Sequence, residues 1–481
     1  AADSLETLFD APPQSRGADA WWHWQGANVT KYGITRDLEA MKDAGLSGAT
    51  IAEGTVVVNT PYDTAVTNKF SNNGGASLVA VRTTNAVNEA TLIVSNGITR
   101  THAALVVGAG YAPSGSSYLK GTLKVAGGTL IVGNTDLKIL YTCANAYPAV
   151  GRVEGVVDVS SAQRLYCKGY CPAFQKNSYS LTYVHDGGNL YDLDGNIVPG
   201  YSESNKADAS TTNDFIITGS GSHVSCQNFY NDLYNGGMTT NLRLADGAVL
   251  EMRNFTNSVN GVFNVVFDGG IWRHRSHNSS MPHFPSLMTS MKIGPGGLIT
   301  YFNGGSEAYP VLWDKGLEPL DDSGTDGGIS LSQGGSTTPL VIRAVNTYCG
   351  PTYIAKTRVY LGGAGRLPTG TALTVTTSNG GLIVTNGVQT VGSFAFGEGT
   401  TYSPKLGFDK DSRLDVTCDV TVGTLLEPQF HLLETRGVTN HVENGLSTVG
   451  TYTFVTAPAT NGSSTVYRFR SEERRVGKEW R

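Results

Sequence analysis

Residues 121–134 read GTLKVAGGTLIVGN, which is two short apolar strands separated by a Gly-Gly turn and closed by a Gly-Asn turn. The same texture recurs in residues 90–97 (ATLIVSNG), 247–252 (GAVLEM) and 381–387 (GLIVTNG). Short apolar strands that end in such turns about every ten residues predict an all-β chain.

The length of this texture decides between all-β architectures. It continues from residue 54 to residue 469 without a helical segment or a linker. A β-sandwich is the usual arrangement of short strands, but roughly 400 residues of uniform pattern favour a right-handed parallel β-helix, a solenoid whose stacked coils bury one column of Leu, Ile and Val. We expect a monomeric rod on the order of 100 Å long.

Composition fits this architecture and excludes some partners. Only 16% of the 481 residues are charged and 60 are Gly, which suits tight turns between strands. The net charge of -5 gives no general attraction to nucleic acid or anionic lipid. No apolar run approaches the roughly 18 residues of a membrane helix. Six cysteines are too few for a disulfide scaffold, although Cys167 and Cys171 are spaced to close a small loop in an oxidising compartment.

The first fifty residues have a different pattern. Ile34, Leu38 and Met41 recur at helical spacing and predict a helix that ends near Gly45. The aromatic run before this helix and the apolar run after it predict strands. The block is therefore a strand–helix–strand unit of the kind that opens a parallel α/β barrel.

Four motifs in this block, together with Asn28-Val29, carry a family resemblance: residues 11–13 (APP), 21–24 (WWHW), 33–41 (GITRDLEAM) and 44–49 (AGLSGA). On these motifs, residues 1–53 resemble the N-terminus of the α-L-rhamnosidases of glycoside hydrolase family 106. The resemblance implies a barrel and a calcium-assisted inverting hydrolysis by carboxylates carried later in that barrel. Nothing after Glu53 resembles that later region, so we interpret residues 1–53 as the truncated start of a rhamnosidase-like barrel.

Trp22, His23 and Trp24 are the candidate sugar-binding residues of this block. They are able to stack on a sugar or bond to it, and the alternative is that they pack the barrel wall or its seam with the solenoid. Inverting hydrolysis needs two carboxyl groups roughly 6.5–9.5 Å apart, usually from different strand ends. One strand–helix–strand unit does not supply them, so we expect no catalytic residues. Glu53 is either a barrel carboxylate or, as we favour, an ordinary loop residue.

A second resemblance lies near the end of the solenoid and is carried by residues 348–354 (YCGPTYI), 361–368 (LGGAGRLP), 371–375 (TALTV) and 389–394 (QTVGSF). In this order they are similar to the autotransporter-associated β-strand repeat of bacterial surface proteins, which we place at residues 341–397. Cys349 and Arg358 depart from the usual residues of that repeat. The resemblance implies a secreted or cell-surface bacterial protein.

A calcium-loop template fits one turn of the solenoid. Asp192, Asp194, Asn196 and Glu203 take its oxygen-ligand positions 1, 3, 5 and 12. Ile197 stands where the template needs Gly, and no flanking helices are predicted, so a solvated Asp/Asn turn is the favoured alternative. We therefore expect no cofactor, and calcium at these residues is the alternative that stays open.

Two further clusters have weaker patterns. His274, His277 and His283 lie in one basic aromatic run, but no carboxylate or Cys is near enough in sequence to complete a metal site, which favours a surface loop. The carboxylate pair Asp321-Asp322 lies in a Gly-rich turn, without the neighbours that a β-helix lyase or hydrolase would need.

The last residues have yet another texture. Residues 470–479 read RSEERRVGKE, which has the charge pattern of a solvated helical tail and also looks like a translated sequencing adapter. We interpret residues 470–481 as a non-native tail.

The sequence therefore predicts a secreted bacterial surface β-solenoid over residues 54–469 with a structural, adhesive or weak glycan-binding role. A fragment of a family 106-like rhamnosidase and a β-helix polysaccharide lyase or hydrolase are the alternatives. An enzyme requires charged side chains that converge in one groove, whereas a stalk or binding surface scatters them along its length.

Overall fold

The computed structural model describes residues 19–22, 31–44, 48–51, 54–59, 67–70, 77–79, 88–101, 104–108, 118–133, 139–143, 152–192, 195–201, 207–275, 283–302, 311–333, 339–376, 380–396, 405–408, 412–422, 429–432, 451–458 and 464–470. Strands make up 55% of the chain and helix 3%, so the predicted nearly all-β class is confirmed. The chain divides into two compact units: residues 1–216 with 232–240 form the first unit, and residues 217–231 with 241–481 form the second.

The first unit opens with the predicted strand–helix–strand element. Strand Asp19–Trp22 pairs in parallel with strand Gly48–Ile51, and the helix Lys31–Asp43 lies between them in the chain. Met41, on the predicted apolar face of the helix, is half-buried. The spacing of apolar residues thus identified both the helix and the parallel connection.

Three columns of hydrogen-bonded strands build the rest of the first unit. The first column contains Gly54–Asn59, Asn88–Asn96, Leu119–Val125, Val153–Val159, Ser178–Val184 and Thr212–Ile217. The second column contains Thr67–Phe70, Ile98–Thr101, Thr129–Ile131, Arg164–Cys167 and Asn189–Asp192. The third column contains Ser77–Val79, Leu105–Val107, Ile139–Thr142 and Gly169–Cys171. The chain visits the columns in rotation and pairs in parallel, which is consistent with a β-helix.

The second unit repeats the parallel pairing in longer columns. One column contains His223–Ser225, Val249–Met252, Gly270–His274, Leu298–Phe302, Ile329–Gln333, Thr352–Ala355, Ala372–Thr376, Ser393–Phe396 and Val420–Val422. Another contains Val311–Trp313, Leu340–Ile342, Arg358–Leu361, Gly381–Val384, Lys405–Phe408 and Gln429–Leu432. Shorter sets are Thr239–Ala245, Val262–Asp268, Ser290–Ile293 and Glu318–Pro319, then Asn228–Asn231 and Asn254–Asn257, and finally Val388–Val391, Arg413–Val416, Thr451–Pro458 and Ser464–Arg470. The last two strands form an antiparallel pair.

Alternation of apolar and polar residues explains how the columns pack. Along Val153–Val159 every second residue is buried and the residues between them are half-buried, because side chains of a strand point alternately to its two faces. In the second column of the first unit, Leu130, Leu165 and Leu190 are register partners, and all three are fully buried. Burial of each such side chain stabilises the fold by about 1.5–3 kcal/mol.

A row of asparagines inside the second unit adds polar contacts to this stacking. Strands Asn228–Asn231 and Asn254–Asn257 pair residue by residue. The amide of Asn231 donates to Oδ1 of Asn257 at 2.8 Å, and Nδ2 of Asn257 donates to the carbonyl oxygens of Gly261 and Leu287 at 2.8 Å each. The buried amide thereby supplies hydrogen bonds to chain segments that turn between strands.

Two smaller expectations are also answered. In the parts of the chain that the structure describes, no helix has the length and hydropathy needed to span a membrane. No disulfide joins any of the six cysteines, all of which the structure describes, and Cys167 and Cys171 are both buried. The interpretation of residues 470–481 as a non-native tail stays a prediction, since Arg470 ends strand Ser464–Arg470 and residues 471–481 lie outside the described residues.

Candidate functional site

The first unit carries a row of partly exposed aromatic side chains on its surface. Tyr141, Phe174, Tyr201 and Tyr234, which we call the aromatic row, follow one another with ring centroids 5.0, 6.4 and 5.7 Å apart. Tyr201 is 39% exposed and the other three are half-buried. Rings at this spacing form a continuous apolar strip with polar hydroxyl edges, a surface suited to an amphipathic ligand.

Backbone hydrogen bonds between successive turns of the chain hold the aromatic row in place. Tyr141 lies in strand Ile139–Thr142, and the backbone N–H of Phe174 donates to the carbonyl of Thr142 at 3.0 Å. The loop that bears Tyr234 is fastened by the buried carboxylate of Asp232, which accepts from the N–H groups of Gly236 and Gly237 at 2.8 Å.

That loop also requires a glycine. A Cβ at Gly236 would overlap the carbonyl oxygen of Ala207, so only a residue without a side chain allows the close approach. The conformation of the loop that bears Tyr234 therefore depends on both the Asp232 carboxylate and Gly236.

Tyr141 contributes a protonated phenol to the row. Burial raises the pKa of Tyr141 to about 12, with smaller contributions from Cys171 and Tyr201. The Tyr141 hydroxyl therefore stays protonated near neutral pH. This favours hydrogen bonding and stacking over acid–base catalysis.

A second surface of the first unit, the outer face of its first column, carries carboxylates. Tyr118 donates to Oε2 of Glu154 at 2.6 Å, and Arg152 Nε lies 3.0 Å from Oε1 of Glu154. Tyr179 donates to Oδ2 of Asp214 at 2.8 Å. Burial, followed by this bond to Asp214, raises the pKa of Tyr179 to about 12. Both carboxylates thus already accept hydrogen bonds from neighbouring side chains.

Asp158, on the same face, is also partnered. Its Oδ1 lies 3.0 Å from Nε2 of His185, and its Oδ2 lies 3.7 Å from Nζ of Lys124. His185 stacks on Tyr183 at 4.0 Å, and its Nδ1 lies 2.8 Å from Oδ2 of Asp186. Asp158 thus has an imidazole and a lysine within 4 Å of its carboxylate oxygens.

Charges of the second unit are likewise arranged in local sets. Glu251 lies 3.3 Å from Nη1 of Arg273 and 3.5 Å from Nε2 of His223. The hydrogen bond from His223 holds the pKa of Glu251 below its ordinary value, and Arg273 adds to the effect. Arg343 binds Asp314 through Nε and Nη2, at 2.6 Å each. These pairs lie on separate strands. Their distribution is that of scattered surface charges rather than of a catalytic groove.

The structure describes only part of the sequence-predicted sites. Trp22 is the last residue of strand Asp19–Trp22, and its side chain lies outside the described residues together with His23 and Trp24. Glu53 lies outside them as well.

For the calcium template, Asp192 ends strand Asn189–Asp192, and the carbonyl of Asn196 accepts from the N–H of Tyr170 at 3.1 Å. Asp194 and Glu203 are not among the described residues, so the template stays a prediction. Within the described ranges, no group of three or more His, Cys, Asp or Glu side chains is positioned to hold a metal.

The histidine run differs from the expected surface loop. His274 and His283 are buried, with Nε2 atoms 2.6 Å apart, and Trp272 lies 6.0 Å from each ring. The N–H of Leu312 donates to Nδ1 of His283, so His283 carries its proton on Nε2 and donates it to His274. The surface interpretation is wrong for these two. Alternation along Gly270–His274 turns His274 inward, and the N–H of His283 donates to the carbonyl of Leu312 at 2.9 Å, which places His283 beside strand Val311–Trp313. His277 lies outside the described residues.

Comparisons with known proteins concern the start of the chain. The α-L-rhamnosidase family profile, glycoside hydrolase family 106, matches residues 10–99. A putative β-glucuronidase from Formosa agariphila is 53% identical over 45 residues, which are 9% of this chain and 4% of that protein. No solved structure matches the chain. The N-terminal resemblance is thus confirmed, and the profile match extends beyond residue 53 into the first strands of the columns.

Sequence reasoning did not find the aromatic row. Its four members are 33, 27 and 33 residues apart in the chain, too far for any local pattern to connect them. Only Tyr141 lies in a strand of the third column, whereas Phe174, Tyr201 and Tyr234 lie outside strands. No strand period therefore marks them in the sequence. Glu154 and Asp214 were missed for the same reason, because they are far from Tyr179 in sequence and flank it only after the strands have paired.

Proposed function

We propose that this chain is a carbohydrate-binding, right-handed parallel β-helix displayed outside a bacterial cell, and that it binds glycans without cleaving them. The rotation of the chain through three parallel columns supports the β-helix. In the second unit, Thr352–Ala355, Ala372–Thr376 and Ser393–Phe396 pair in parallel, as a β-strand repeat at residues 341–397 would require.

The aromatic row carries the functional proposal. Pyranose rings present an apolar C–H face and a polar rim, which match an aromatic ring and its hydroxyl edge. Four rings in sequence offer consecutive contacts to a sugar chain rather than to a single sugar. The similarity of residues 10–99 to a family that acts on glycosides points to the same class of ligand.

The test is a binding titration of the purified chain against a panel of neutral polysaccharides. Tyr201→Ala and Tyr234→Ala should each weaken binding about tenfold, because a lost stacking contact of ~1.4 kcal/mol corresponds to that factor. Tyr353→Ala is the matched control, since Tyr353 is 41% exposed and lies in the second unit. Equal affinities for the three variants and the unmodified chain would refute the proposal.

Glycoside hydrolysis is the second candidate. The family match over residues 10–99 and the parallel pairing of Asp19–Trp22 with Gly48–Ile51 favour it. An assay with aryl α-L-rhamnoside and aryl β-glucuronide distinguishes the two proposals. We expect no turnover of either compound, and turnover that increases in proportion to protein concentration would establish the hydrolase instead.

A further inference from the structure

The aromatic row takes one ring from each of four successive turns of the chain. Backbone hydrogen bonds join each turn to the next: the N–H of Phe174 donates to the carbonyl of Thr142 at 3.0 Å, that of Gly200 to Pro172 at 3.1 Å, and that of Asp232 to Pro199 at 3.2 Å. Strands joined in this way lie about 4.8 Å apart, which is close to the ring separations of 5.0, 6.4 and 5.7 Å. The row therefore runs along the direction in which the strands stack, and a chain-like ligand that follows it meets one ring after another.

The planes of the rings are turned against one another along the row. The angle between neighbouring planes is 83° from Tyr141 to Phe174, 51° from Phe174 to Tyr201 and 49° from Tyr201 to Tyr234. A pyranose ring stacks with its C–H face against the face of an aromatic ring. Consecutive sugars therefore match consecutive rings only where the planes of the sugars are also turned from one unit to the next.

Packing beneath the row holds the backbone that carries two of its rings. Ala173, which precedes Phe174, is fully buried, and its N–H donates to a threonine hydroxyl at 2.9 Å. Tyr201 follows Gly200, where a Cβ would overlap the sulfur of the buried Met238. These contacts position the backbone of both rings before any ligand binds, which lowers the entropic cost of binding.

The row also favours a ligand without charge. Its members are three tyrosines and one phenylalanine, so the row itself contains no cationic or carboxylate side chain. The carboxylate of Asp232, in the loop that bears Tyr234, is buried and accepts from two backbone N–H groups. Among neutral hexopyranoses, glucose carries its ring hydroxyls equatorially, which leaves apolar C–H groups on both faces. A chain of glucose units is therefore the neutral ligand that stacks best on such rings.

We propose that the aromatic row selects a glucan whose linkages turn each pyranose plane against the next, and that it discriminates against flat glucans. In a β-1,4-linked chain each ring is flipped by half a turn relative to the last, so the planes stay nearly parallel and the chain is a ribbon. The β-1,3 and α-1,4 linkages set successive planes at an angle, and such chains wind into helices. This inference deepens the carbohydrate-binding function proposed above and rests on it for the class of ligand.

The experiment measures binding of the full chain to three uncharged glucose hexamers by titration calorimetry: laminarihexaose (β-1,3), maltohexaose (α-1,4) and cellohexaose (β-1,4). The three probes have the same composition and length, so a difference in affinity reports on the linkage. At least one of the first two should bind tenfold or more tightly than cellohexaose, and the tighter of the two assigns the linkage. The dimer of that linkage should bind at least tenfold more weakly than the hexamer, because it spans fewer rings.

Variants of the row test whether the angled rings cause the preference. Phe174→Ala should lower the affinity for the preferred hexamer at least tenfold and reduce the preference over cellohexaose, since Phe174 takes part in the 83° and 51° angles. Phe174→Tyr keeps the ring and should retain both. Tyr201→Ala, at an exposed position, should also reduce the preference and serves as the second variant if Phe174→Ala fails to fold. Tyr353→Ala, in the second unit, is the control and should leave the three affinities unchanged.

Two results would overturn the selection by linkage: cellohexaose binding as tightly as the other two hexamers, or a full preference that survives in both alanine variants of the row. If Tyr201→Ala still weakens binding to neutral polysaccharides, the carbohydrate-binding function stands and only the selection fails. Absence of binding to all three hexamers overturns the selection as well. Absence of binding to neutral polysaccharides in addition would remove the function on which the selection rests.

Discussion

The buried amide of Asn257 shows how a single side chain holds several turns of the chain. Both of its N–H groups and its oxygen are used, and the residue is 4% exposed. Removal of the amide leaves buried carbonyl groups without a donor, which costs about 1–3 kcal/mol for each unsatisfied group.

Asn257→Ala should therefore lower the free energy of unfolding by at least ~1 kcal/mol, because Asn231, Gly261 and Leu287 all lose a partner. Chemical denaturation measures this change in the free energy of unfolding. Asn241→Ala is the matched control, since Asn241 is exposed. A destabilisation no larger than that of the control would contradict the assigned role.

The tyrosines of the first unit predict a loss of stability in alkali. The pKa values of Tyr141 and Tyr179 are raised to about 12 from an ordinary value of 10.0. The unfolded chain releases these protons at a lower pH than the folded chain does. The contribution of the two phenols to the free energy of unfolding is therefore fully present below pH 10 and is lost as the pH rises from 10 to about 12.

Thermal melts across this range should show a steeper decline for the unmodified chain than for Tyr141→Phe/Tyr179→Phe, which has no phenol to ionise at these positions. Tyr353→Phe provides the control. Identical pH profiles for the double variant and the unmodified chain would show that these two phenols do not couple to folding.

At the level of the strand, stacked buried leucines stabilise the second column of the first unit. Leu165→Ala should reduce the free energy of unfolding by about 2–5 kcal/mol, because Leu130 and Leu190 would face a cavity. Thr129→Ala, on the outer face of the same column, should cost far less. The denaturation midpoints of the two variants measure the difference, and similar losses of stability would argue against the inward stacking of the leucines.

The turn after strand Asn189–Asp192 gives a prediction about calcium. Ile197 is fully buried and forms a parallel bridge with Tyr170, so it continues the third column instead of wrapping around a cation. We expect addition of EDTA to leave the melting temperature unchanged. A drop of several degrees that calcium restores, and that Asp194→Asn abolishes, would instead establish the calcium loop.

How far the sequence could predict this fold differs among its elements. The helix Lys31–Asp43 followed from residues three and four apart, and the strands followed from alternation within a few residues. Their partners did not, because the parallel register joins residues 25 or 35 positions apart, such as Leu165 with Leu190 or Leu130. The rings of the aromatic row likewise come from positions 27 or 33 residues apart and meet only in the fold. Local pattern therefore predicted the class of fold, while the candidate sites required the structure.

For the whole molecule, the opening block gives the final prediction. Strands Gly54–Asn59, Thr67–Phe70 and Ser77–Val79 are the terminal strands of the three columns in the first unit. Unpaired strand edges promote association with other chains. Deletion of residues 1–52 should therefore lower the melting temperature and increase aggregation, as measured by calorimetry and light scattering. Unchanged solubility and melting temperature would mean that the block does not protect these edges.

The pairing of each strand with a strand from the preceding rotation bears on how the chain acquires its structure. Leu165 pairs with Leu130, which is synthesised 35 residues earlier, and Leu190 then pairs with Leu165. The strand with which each new strand pairs is therefore already in place. The entropic cost of closing a loop of this length is little more than that of a shorter loop. Structure can thus grow vectorially from one end as the polypeptide emerges from a ribosome or a narrow pore. Each newly paired strand then opposes backward sliding of the chain.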